Sequence, residues 1–188
     1  LSGFPGVTPA QQASAERLVT ETILALPAFA SPAAAEAAGY RTIGDAFTGY
    51  EHYVNWPYLA DGRELDATHP ESIVYRVEGD QRTLAAAMYI LEPGRTLDDV
   101  PDVGGPMVQF HVHTDLCYAG EENAWRVVSV VPPPAVCPEG TFRALPAPMV
   151  HTWVVPHPCG PFAALEGVSG GQVGDGEEPL CDHVHGSP

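Results

Sequence analysis

The hydrophobic positions of this 188-residue chain follow two different periods. Ala15, Leu18, Val19, Thr22, Ile23 and Leu26 recur at helical spacing after Thr8-Pro9, a capping residue followed by proline at the first helical position. The pattern breaks at Pro27. A second short helix is predicted from Pro32 to Ala38, stopped by Gly39. From Tyr40 onward the chain reads as short β runs at 50–55, 72–78, 83–91, 107–113, 125–131 and 149–155. Asp61-Gly62, Gly79-Asp80, Pro93-Gly94 and Gly104-Gly105-Pro106 punctuate them with turn chemistry. The runs 72–78 and 83–91, joined across Gly79-Asp80, read as a hairpin. Helices followed by strands predict an α+β fold, its N-terminal helices packed on a mainly antiparallel sheet that forms a roll, sandwich or barrel. The expected organisation is one domain over 1–188: a helical part at 1–39, a β-rich body at 40–168, and a Gly-rich acidic tail at 169–188.

Charge narrows the partners. Eight Arg, no Lys and 24 carboxylates give a formal charge of −16. That field repels nucleic acid and anionic lipid and gathers cations. No apolar run reaches the roughly 20 residues that span a bilayer. The four cysteines, Cys117, Cys137, Cys159 and Cys181, all fall in the last 72 residues without a CxxC pair. Such usage predicts two disulfides and an oxidising, extracytoplasmic compartment. Three pairings are open, and order along the chain favours Cys117–Cys137 with Cys159–Cys181. The start at Leu1 is read as a secreted chain whose signal peptide has been removed. Oligomeric state is left open.

Eight histidines in so acidic a chain are the main chemical signal. His111-Val112-His113 lies in an apolar run, where residues two apart share one face of a strand. Two imidazoles so placed chelate one ion if a neighbouring strand adds a third, and His151 in MVHTWVV is the best candidate. Three protein ligands leave a fourth position open for water or substrate. Gly105-PMVQF-His111-Val-His113 is similar to the opening of the first cupin motif, and HxH plus one cross-strand histidine is similar to the ligand set of zinc carbonic anhydrases. Thr114 to Cys117 and Val155 stand where the cupin motifs carry Glu and Asn.

The segments GYEHYVN (49–55), DATHPESIVY (66–75) and HTWVVPHPCGPFAALEG (151–167) resemble, in the same order, the HYVN, DPxxPExLxY and HVWVWxxNPxGxFA elements of a family of uncharacterised secreted bacterial proteins. The resemblance spans roughly residues 40–167 and departs from the pattern at 156–159 and 164–166. It promotes His52, which either lines the same pocket as the other histidines or bonds within the core. It also promotes Glu71, as ligand, support for a liganding imidazole, general base or turn cap. His157, between two prolines, is an alternate ligand. His69 reads as solvated, and His183 and His185 as a weak metal-collecting tail. No GxGxxG, Walker A, GxSxG or HExxH motif is present.

These features predict a secreted metal-binding protein holding one Zn or Cu ion through His111, His113, His151 and His52. Its role would be metal storage, delivery or a metal-dependent reaction. The alternatives are a metal-assisted hydrolase or lyase with Glu71 as base, and a metal-free carbohydrate or ligand-binding module.

Overall fold

A computed structural model describes residues 1, 3–164 and 167–179. The first helix, α1, runs Pro9–Ala25. Thr8 caps it by accepting from the Gln11 N–H while Gln11 Oε1 accepts from the Thr8 N–H, a reciprocal box. A short 3₁₀ turn, Leu26–Phe29, and α2, Pro32–Ala37, complete the helical part.

Eight strands follow: β1 (Arg41–Thr42), β2 (Tyr50–Val54), β3 (Ser72–Glu78), β4 (Gln81–Ile90), β5 (Leu116–Ala119), β6 (Arg126–Val130), β7 (Phe142–Arg143) and β8 (Met149–Trp153). They form an antiparallel five-stranded sheet in the order β1-β2-β3-β4-β8 and a three-stranded sheet in the order β6-β5-β7. The fold is therefore α+β, with no closed barrel among the described residues. The β3–β4 hairpin turns at Gly79-Asp80, where Gly79 takes φ 58° at the position that needs a positive angle.

Alternation gives the large sheet two distinct faces. Tyr53, Ile73, Tyr75, Ala87, Tyr89 and Val150 pack with Ala15, Leu18 and Leu26 of the helical part in one buried cluster. Three tyrosine tips on this side are satisfied locally: the Tyr75 and Tyr40 hydroxyls donate to the Phe29 and Pro70 carbonyls, and the Tyr89 hydroxyl meets Thr22 Oγ1 at 2.6 Å. The opposite face carries Val74, Ala86, Met88, Ile90 and Trp153 in a second cluster. His52 and His151 belong to this second face, because His52 is registered with Val74, and His151 with Met88.

Residues 107–113 depart from the predicted strand. Gly105–Met107 is a 3₁₀ turn, after which His111 and Val112 form single bridges to Met149 and Gln172. Pro106 has no N–H for a ladder, so pairing begins only beyond it. The three short strands β1, β5 and β7 lie outside the predicted set.

Cys117 in β5 is disulfide-bonded to Cys137, as order along the chain favours. The companion pairing falls on Cys181, outside the described residues, as do His183 and His185. No helix among the described residues is long and apolar enough to cross a membrane.

Candidate functional site: a histidine cluster beside an apolar cavity

Four buried or nearly buried imidazoles form a chain. Ring centroids lie 5.6 Å apart for His52–His151, 5.5 Å for His151–His111 and 5.4 Å for His111–His113. His111 and Met149 exchange backbone hydrogen bonds of 3.0 and 2.8 Å, which docks His111 beside β8 on the His151 side of the sheet. His113, two residues on, keeps to the same side despite the missing strand.

His52 and His151 come from strands three places apart, so a flat sheet would hold their backbones about 14 Å apart. Their Nε2 atoms are nonetheless 3.3 Å apart. A register shift at Val74/Tyr75 lies between them, an irregularity of the kind that strengthens the local twist of a sheet.

Two carboxylates that sequence reading missed orient the rings. Asp45 accepts the His52 backbone N–H at 3.0 Å with one oxygen and faces the same residue's Nδ1 at 2.5 Å with the other. The ring N–H therefore points at Asp45, and Nε2 presents its lone pair toward His151. Around His113, Ser169 Oγ lies 3.3 Å from Nδ1 and donates to Asp115 Oδ1 at 3.1 Å. The Asp115 partnership is local, an i+2 neighbour visible in HVHTD. That of Asp45 depends on β1, too short to announce itself.

Burial decides the charge state of the cluster. It pushes His111 down to about 3 and His113 down to about 4. His151 is held well below the ordinary imidazole value by the same burial, with His111, His52, His113 and His157 adding to the effect. At neutral pH these rings are uncharged, and each keeps one ring-nitrogen lone pair. His111 Nε2 and His151 Nδ1 are buried without a hydrogen-bond partner.

His52, His113, His151 and Asp45 close one end of a cavity of about 90 Å³. Its other walls are apolar and come from both sheets, Met88 and Ile90 from β4 and Leu116 from β5 among them. Residues 167–172 cross the cluster like a strap: Gly171 lies against the His111 ring, and Gln172 pairs with Val112 and accepts from Thr114.

Not every candidate joins this site. Glu71, 1% exposed, faces the helical side with Tyr40 and Tyr89, and its Oε2 accepts the Ile90 N–H at 3.0 Å. Burial raises it to about 7. His157 stacks on Trp153 with centroids 4.5 Å apart, one ring beyond the cluster. His69 sits in a polar loop with Asp66 and Thr68. His111 lies nearly parallel to His151, at 9°, so the in-plane lone pairs of these two rings do not converge. Among the described residues, no three His, Cys, Asp or Glu side chains are placed together so as to hold a metal ion. No protein-family profile, curated protein or solved structure matches the chain.

Proposed function

We propose that this protein binds one divalent transition-metal ion, Zn or Cu, through His52 and His151, with His113 rotating in as third ligand and the cavity side left open. The supporting observation is the 3.3 Å separation of the His52 and His151 Nε2 atoms. Zn–N bonds of 2.0–2.1 Å in a tetrahedron make an N···N edge of about 3.3–3.4 Å. The Asp45 contact supports the same reading, since metal-bound imidazoles usually donate their other N–H to a carboxylate. So does the neutral state of the buried rings, because a protonated imidazole cannot ligate. Imidazole donors suit both Zn and Cu, and Cu²⁺ binds more tightly where both are present.

The setting fits extracytoplasmic metal capture, storage or delivery, or a metal-dependent reaction. The disulfide favours an oxidising compartment, and a formal charge of −16 concentrates cations around the chain. The position of Glu71 on the other sheet face lends no support to its acting as base on a metal-bound water.

Calorimetric titration of chelator-stripped protein with Zn²⁺ and Cu²⁺ tests the reading. One ion per chain is expected, with H52A and H151A each weakening binding at least 100-fold, H113A at least tenfold, and E71Q without effect. Absence of stoichiometric binding, or affinities unchanged in H52A and H151A, overturns it.

A further inference from the structure

We propose that the cavity in front of the histidine cluster is a binding site for a small uncharged molecule with an apolar body and one hydrogen-bond-accepting oxygen, its apolar part against Met88, Ile90, Leu116 and Met149. The inference goes beyond metal binding and does not require it.

Charge selection follows from the walls. No Arg is among the described lining residues, and the chain has no Lys, so a carboxylate or phosphate would enter an apolar space without a counter-ion. The overall charge of −16 adds a long-range penalty. A cationic ligand fares no better. Asp45 is the one carboxylate among these lining residues, and both of its oxygens are engaged by His52. An ammonium group would lose its hydration without a free anion in return.

The need for a polar atom comes from a donor left unmatched on the cavity wall. Trp56 lines the cavity, and its indole N–H is buried without an acceptor. A buried donor without a partner is costly, and a ligand oxygen offsets that cost on entry. A ketone, ether or alcohol carries such an oxygen, and a pure hydrocarbon does not.

Size narrows the class further. A cavity of about 150 Å³ admits benzene with room to spare, so one of about 90 Å³ suits an occupant smaller than benzene, on the order of four to five heavy atoms.

Butanone, butyrate, butylamine and pentane have similar size and differ in charge and in the accepting oxygen. Each is titrated into metal-free protein in chelator, following the Trp56 indole N–H by NMR. Butanone is expected to give a saturable millimolar shift, with butyrate, butylamine and pentane at least tenfold weaker. Contacts from the butanone methyl protons should fall on the Met88 and Met149 methyls. A144F, which places a ring in the cavity from a partly exposed position, should weaken butanone at least tenfold. If A144F does not fold, the methyl contacts in the unaltered protein decide the location. The proposal is overturned if butanone produces no saturable shift, if butyrate or butylamine binds as tightly, or if the contacts map elsewhere. The zinc titration is a separate measurement, so failure of metal binding leaves this result standing, and the reverse also holds.

Discussion

Asp45 shows how one residue governs a site it only borders. Its two oxygens satisfy both the backbone and ring donors of His52, fixing the tautomer as well as the orientation. D45N keeps the shape but can present only one carbonyl oxygen where two acceptors stood. Zinc affinity in D45N is expected to fall about 10–100-fold, read by competition with a chromophoric chelator. Glu71 is the converse, a buried carboxyl with no place in the cavity. Its ordinary value is 4.5 and its folded value about 7, so between these limits the folded chain holds a proton that the unfolded chain has released. Stability contributed by this group is complete below pH 4.5 and is lost as pH rises through 7, by about 3 kcal/mol. Urea unfolding at pH 5 and pH 8 should show E71Q gaining about 2 kcal/mol more stability than the parent over that rise, because the loss from Glu71 no longer offsets the gain from the buried histidines. The sequence offered His52 as a ligand beside the HxH pair and Glu71 as an alternate ligand or base. Only residue parity across β2 and β3, together with the Glu71–Ile90 bond, separates them onto opposite faces.

Among the elements, long periodic segments were legible and short ones were not. α1, β3, β4 and β8 stand within a few residues of their predicted limits, because capping, alternation and turn glycines all point the same way there. β1 and β7 have two residues each, too few to carry any period. The HxH segment read as a strand because its hydrophobic residues alternate, yet Pro106 and the paired glycines before it confine pairing to single bridges. Its histidines still share a face, since local extension suffices for that. The strap at 167–172 was read partly as tail, and its composition explains both the reading and its role. Gly171 lies against His111 so closely that an added Cβ would come within 2.3 Å of the ring, whereas Gly170 has open space. G171A is therefore expected to cost about 1–3 kcal/mol by forcing His111 or the strap aside. G170A should stay within about 0.5 kcal/mol of the parent. Denaturant midpoints of the two neighbouring variants make the comparison.

At the scale of the whole molecule, sequestering imidazoles in an apolar interior ties folding to pH. Burial keeps His111 near 3 and His113 near 4 in the folded chain, against about 6.5 when unfolded. Below pH 6.5 the unfolded chain takes up protons that the folded chain refuses, so stability falls with pH until the folded values are reached. Between pH 7 and pH 5 each of these two histidines removes about 2 kcal/mol, and His151 acts in the same direction. Glu71 opposes them, gaining about 2 kcal/mol over the same interval as its proton becomes easier to hold. The imidazoles outnumber the carboxyl, so metal-free protein should melt at a lower temperature at pH 5 than at pH 7. H111F removes one of the opposed titrations without replacing a proposed ligand and should flatten that decline. E71Q removes the opposing carboxyl and should steepen it. Zinc shifts the balance again, because an ion that binds only the neutral folded rings stabilises at pH 7 and is released as protons compete in acid. Scanning calorimetry across pH 5–7, with chelator and with zinc, should show the gap between the two curves narrowing toward pH 5. A gap that stays constant would mean that zinc sits on carboxylates at the surface and not on the histidines.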